Sequence, residues 1–309
     1  MQKARRTVVN PFVVAAALLA AAVAVVVSLG QGVSAQGGGG GGAGIVDLSG
    51  EWAGIVHEDQ PERGPGPELG DYLGLPINDA ARLHADTWSA SRLTLPEEQC
   101  MPHPSTYAIR GPMNLRISKE VDPVTQDLVA IRTHGSWMAP ERTFYLDGRP
   151  HPPAYAPHTW QGFTTGSFQG GVLTTLTTHL KEGWIRRNGI HHSDQATMTE
   201  RWIRHGDVLL VVTVVNDPVY LTEPLLKTTN LRWAPGQNVG AYPCGGFEVV
   251  VEVERPTGIV PSHLPGKNEF LKEFAETFNI PFEATRGGAE TMYPEYMDKL
   301  KTMAAAQKK

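Results

Sequence analysis

Hydrophobic and polar positions alternate with a period of two through much of the chain after Leu48, in short runs broken by Gly, Pro, Asn and Asp. That period puts every second side chain on one face, the signature of a half-buried strand. The runs LSGEWAGIVH, NLRISKEV, DLVAIRTHGSW, ERTFYLDG, TWQGFTTGSFQ, GVLTTLTTHL, QATMTERWIRH, LLKTTNLRW and FEVVVEVE each predict a strand. Asp147-Gly148, Gly170-Gly171 and Gly206-Asp207 supply the positive φ that tight hairpins need. One run, VLLVVTVV over Val208–Val215, lacks polar alternation and predicts a strand covered on both faces. Many short strands joined by tight turns make an antiparallel meander, and closure into a barrel removes its two edges.

The period changes to helical in three places. Ile77–Ala90 has Asn78 or Asp79 as a cap and Ala81, His84, Ala85 and Trp88 on one face, so it predicts a helix-containing insert near the N-terminus. Lys267–Asn279 places Phe270, Leu271, Phe274 and Phe278 on one stripe, and the stretch from Glu290 is again helical. The fold class expected is therefore mainly β, a barrel spanning 47–255 followed by a helical tail over 256–309.

The first residues have a different pattern. Lys3, Arg5 and Arg6 precede an uncharged apolar run from Phe12 to Leu29, and Val33-Ser34-Ala35 matches a small-x-small cleavage site, so 1–35 is read as an export signal. Retention as a membrane anchor is the competing reading, and the one route by which the chain would meet a membrane. Residues 36–46 are a glycine-rich linker. Cleavage would shift the net charge from −5 to about −8. That sign excludes the basic surface that nucleic acid requires. Cys100 and Cys244 are the chain's only cysteines, and export to the periplasm or beyond would favour their pairing as a disulfide.

Candidate chemistry concentrates in the central strands. Met198, Glu200 and Trp202 share a face, so an inward Glu200 is a carboxylate beside an indole, suited to proton transfer or, alternatively, to an ion pair with Arg142 or Arg201. His134, and with it His179, are the partners expected for acid/base work in the interior, with Arg142 or Arg201 holding an anionic oxygen. Tyr145, Trp160 and Trp202 are candidate walls of a ligand cavity. The stretch THLKEGWIRRNGIHHSDQATMTERW is crowded with charge, but Lys181, Arg186 and Arg187 read as solvated loop cations around the Asn188-Gly189 turn. His191 and His192 are adjacent and face opposite ways, no HxH or HExxH occurs, and neither a metal nor another cofactor is expected.

The motifs DLSGEW, LPINDAARLHADTW, PEEQCMPHP, WMAPERTFYLDGRPHPP, HTWQGFTTGSFQGGVLTTLTTHLKEGWIRRNG, SDQATMTERW and NDPVYLTEPL, in that order, resemble a broad, largely uncharacterised group of exported proteins from environmental bacteria. The resemblance covers about Asp47 to Cys244 and implies a calycin or lipocalin-like barrel. Phe168-Gln169-Gly170 departs from the Trp-Glu-Gly turn of the commoner pattern, so an acidic role is missing there. Two functions fit: a barrel that binds a small, partly hydrophobic molecule in its interior, or a cofactor-independent lyase, hydratase or isomerase using the same cavity. An interaction module on a larger envelope assembly is the third.

Overall fold

The structure of the protein is a computed structural model that describes residues 45–55, 67–95, 98, 101–109, 114–237, 239–242 and 261–307. Residues 1–35, read above as an export signal, and Cys100, Cys244 and the run FEVVVEVE lie outside the described residues.

Nine strands close into a barrel. They are β1 (Gly50–Gly54), β2 (Asn114–Val121), β3 (Leu128–Gly135), β4 (Glu141–Tyr145), β5 (Phe163–Gln169), β6 (Val172–Thr178), β9 (Thr197–His205), β10 (Val208–Asn216) and β11 (Leu225–Trp233). Their order around the wall is β1-β11-β10-β9-β6-β5-β4-β3-β2, with β2 returning to β1. Gly170 and Gly171 turn β5 into β6, and Gly206 turns β9 into β10, all at positive φ.

The meander breaks at two points. β4 and β5 pair in parallel, Phe144 opposite Thr164, so Asp147-Gly148 does not close a hairpin. The chain returns instead along residues 146–162, whose prolines cannot donate to a ladder. Between β6 and β9 it leaves the wall to form a separate hairpin of β7 (Gly183–Arg186) and β8 (Ile190–His192).

Inward positions alternate as the sequence pattern demands. Trp52, Leu115, Phe144, Leu173, Trp202 and Val211 are all buried in one core cluster, with the Phe144 and Trp202 rings 5.3 Å apart. β10 corrects the expectation of two-sided burial. Leu209, Val211, Thr213 and Val215 point inward and are buried, whereas Leu210, Val212 and Val214 are half-buried and Val208 is exposed. The unbroken valine run reflects preference for a pleated strand more than a second cover.

Helix α1 (Asp79–Asp86) is capped by Asn78, whose side-chain oxygen accepts from the Ala81 N–H at 3.0 Å. Its Ala81 and Ala85 pack with Ile185 and Ile190 of the β7–β8 hairpin, and a 3-10 turn over Ala90–Thr94 follows. The predicted helix at 267–279 divides into a 3-10 turn, Glu269–Lys272, and α2, Glu273–Phe278. Leu271 and Phe274 are buried there while Phe278 is exposed. Two further helices, α3 (Phe282–Thr285) and α4 (Pro294–Gln307), complete the tail.

Candidate functional site

Glu200 does stand inside the barrel, but its chemistry is spent on Arg142. The two guanidinium ends Nη1 and Nη2 of Arg142 donate to Oε1 and Oε2 of Glu200 at 3.1 and 2.6 Å, and the side chains are 2% and 0% exposed. Nη2 also reaches Thr177 Oγ1 at 3.3 Å, while Thr175 Oγ1 donates to Glu200 Oε2 at 3.4 Å. The guanidinium lies 4.7 Å over the Phe144 ring. This bidentate, fully enclosed pair has the geometry of a structural ion pair.

The expected partners of Glu200 are elsewhere. Interior positions on β3 are Ile131 and Thr133, so His134 takes the outer face. There its Nδ1 faces Glu141 Oε1 at 3.0 Å and its Nε2 faces the Gly240 carbonyl at 3.1 Å. His179 follows the end of β6 at φ +56°, which turns the ring outward to Thr178 Oγ1 and the Pro153 carbonyl. Neither histidine meets Glu200. Arg201 is exposed on the outer face, and Tyr145, also outward, stacks on Phe163 at 5.2 Å beneath Arg149. Trp202 is completely buried in the core. Trp160, also predicted as a ligand-binding ring, borders a cavity.

That cavity, about 270 Å³, lies between α1, the following 3-10 turn and the β7–β8 hairpin. Trp160, Trp184 and Met101 supply apolar surface, and His84, Glu182 and His191 supply polar atoms. The Asn188-Gly189 turn organises it. Gly189 has φ +96°, and a Cβ there would lie 2.5 Å from Trp88 Cβ, so only glycine lets the turn close against α1. Its carbonyl then faces two rings at once, His191 Nδ1 at 2.9 Å and His84 Nδ1 at 3.3 Å. With Nδ1 as donor, His191 carries its lone pair on Nε2. The rings meet edge to face, centroids 4.6 Å apart, and His84 Nε2 stands 3.3 Å from Glu182 Oε1. Burial first, then the neighbouring His84, pushes His191 down to about 3, so this ring is a neutral acceptor at physiological pH.

Behind the cleft, two of the cations expected to be solvated, Arg186 and Arg187, are buried, whereas Lys181 is exposed. Arg186 Nη2 pairs with Asp71 Oδ2 at 3.3 Å, and the Arg187 guanidinium lies 5.2 Å from the Trp137 ring. Asn188 Nδ2 donates to the Glu68 and Asp71 carbonyls at 3.1 and 3.0 Å. The segment around Asp71 is distant in sequence, and nothing local to the RRNG turn announces it. His103 is enclosed by Tyr107, Trp137 and Trp184 with neither ring nitrogen hydrogen-bonded among the described residues. Burial, then Arg187, holds its pKa well below the usual histidine range. His192, facing away from the cleft, is likewise lowered by burial.

The sequence pointed at this stretch but not at its partners. His84 was legible only as one position on a helical face, and Glu182 as one of the three acids of the stretch, with Asp194 and Glu200. Among the described residues no group of three or more His, Cys, Asp or Glu side chains is placed to hold a metal ion. Comparisons of the chain with protein-family models, with curated proteins and with solved structures find no match, so the cleft is read from its own geometry.

Proposed function

We propose that this protein is an exported β-barrel that binds a small, partly apolar molecule, and that the ligand sits in the cleft under the β7–β8 hairpin and not on the barrel axis. One observation carries the reading: two indoles and a methionine face an array of hydrogen-bonding groups fixed by a single carbonyl, in a cavity of about 270 Å³. Small-molecule sites combine apolar walls with a few placed polar groups in this way, and this one is near the lower end of their size range, about 300 Å³. The barrel axis offers the reverse, since its centre is occupied by packed rings and by the Arg142–Glu200 pair. Export is supported by Lys3, Arg5 and Arg6 ahead of the apolar run and by Val33-Ser34-Ala35. The ordered motifs between Asp47 and Cys244 support kinship with the exported group they resemble.

Proton-transfer catalysis is the second reading, and the contact of His84 with Glu182 favours that pair over Glu200, which has no exposed surface.

The test is a screen of compact ring compounds by saturation-transfer NMR and tryptophan fluorescence, repeated on Trp160→Ala and Gly189→Ala. Hits should weaken at least several-fold in both variants, the first losing an indole wall and the second the carbonyl that aims both histidines. Hits that bind wild type and Trp160→Ala alike would place the ligand outside the cleft.

A further inference from the structure

The cleft's charges pair unevenly. The ionisable side chains lining it are His84, Arg92, Glu98, Glu182 and His191. Arg92 is committed: its Nη2 stands 3.5 Å from Glu98 Oε1 and its guanidinium lies 4.8 Å over the Trp88 ring. His191 presents only an acceptor, Nε2, because its Nδ1 donates to Gly189. Glu182 meets the His84 ring at 3.3 Å and the neutral Tyr220 hydroxyl, and its side chain keeps 47% of its exposure. Of the two lining carboxylates Glu182 is therefore the one open to a ligand, since the Glu98 side chain is only 13% exposed and is held by Arg92.

The walls favour the same sign of ligand. Indole faces attract ammonium and guanidinium groups, and more strongly where water is partly excluded. At the rim, Lys181 Nζ already sits 5.1 Å from the Trp160 ring centroid. An anion would meet two carboxylates, with Arg92 already held by one of them. The formal charge of −5 adds a long-range pull on cations.

We propose that the cleft binds a small organic cation, a protonated amine or alkylammonium on a compact apolar body, with its charge between the Glu182 carboxylate and the indoles of Trp160 and Trp184. The proposal rests on the cleft being the binding site. Three probes of nearly equal shape test it on the full chain at neutral pH: benzylammonium, benzyl alcohol and benzoate, titrated against tryptophan fluorescence with saturation-transfer NMR as a second readout. Benzylammonium should bind about five- to tenfold more tightly than benzyl alcohol, with benzoate weakest. Glu182→Gln should erase that preference while leaving benzyl alcohol binding and the circular dichroism spectrum unchanged. Benzyl alcohol or benzoate binding wild type as tightly as benzylammonium would overturn the cation preference and leave the cleft standing as a site. A preference that survives Glu182→Gln would overturn the role of that carboxylate. If none of the three binds at millimolar concentration, or if Trp160→Ala leaves all three unaffected, both the preference and the cleft fail.

Discussion

Glu200 shows how one side chain's surroundings decide between chemistry and structure. A carboxylate beside Trp202 invites a general-acid role, yet both of its oxygens accept from Arg142 and its side chain has no exposed surface. Two charges moved out of water are repaid only while both are present. Glu200→Gln should therefore leave Arg142 as a buried cation without its countercharge and cost about 3–5 kcal/mol of stability. The double substitution Arg142→Met with Glu200→Leu should regain most of that loss, because it removes both desolvated charges together. Urea unfolding of the three proteins checks it. A Glu200→Gln protein within about 0.5 kcal/mol of wild type would mean that water reaches the pair. The same residue marks a limit of sequence reading: alternation put Glu200 inward with Met198 and Trp202, correctly, but could not choose Arg142 over Arg201 across 58 residues of chain.

At the level of elements, what was legible is what is local. Period-two alternation located the barrel strands among the described residues, Gly170-Gly171 and Gly206 marked two real hairpins, and Asn78 caps α1 as its side chain suggests. The parallel β4–β5 pair was not legible, since a return path of prolines looks the same whether the next strand pairs parallel or antiparallel. Nor was the burial of the β7–β8 hairpin, because Arg186 and Asn188 find their partners in the segment around Asp71. For His134 the alternation was right and the choice of inner face wrong, because Thr133, a polar residue, takes the interior position. β10 turns the same issue into a prediction. Val211 is fully buried in the core and Val212 is only half-buried on the outer face. Val211→Asp should unfold the barrel, since it buries an unpaired charge. Val212→Asp should fold with a modest loss of about 1 kcal/mol, the range of sheet-surface substitutions. Circular dichroism and thermal melts separate the two, and loss of the fold in both would restore a strand covered on each side.

Across the whole molecule, the layer between α1, the hairpin and the barrel stores three buried histidines, His103, His191 and His192, all with pKa values lowered by burial. In the unfolded chain each returns to the ordinary value of about 6.5. Below that pH the unfolded state takes up protons that the folded state refuses, so the stability from these groups is fully present above about pH 6.5 and is lost as the pH falls. For His191 the loss continues to its folded value of about 3. Each histidine contributes about 1.4 kcal/mol per pH unit within its window. Buried carboxylates confuse the picture only at lower pH, because their unfolded values lie near 4. The interval from about pH 6.5 to 5 therefore isolates the histidines. Urea unfolding at half-unit steps there should show stability falling as the pH drops, and His103→Leu, which replaces an unsatisfied buried ring with an aliphatic side chain, should flatten that fall. Stability that stays level across this interval would mean that the folded protein protonates these rings, which would require water to reach a layer in which His103 and His192 are completely buried.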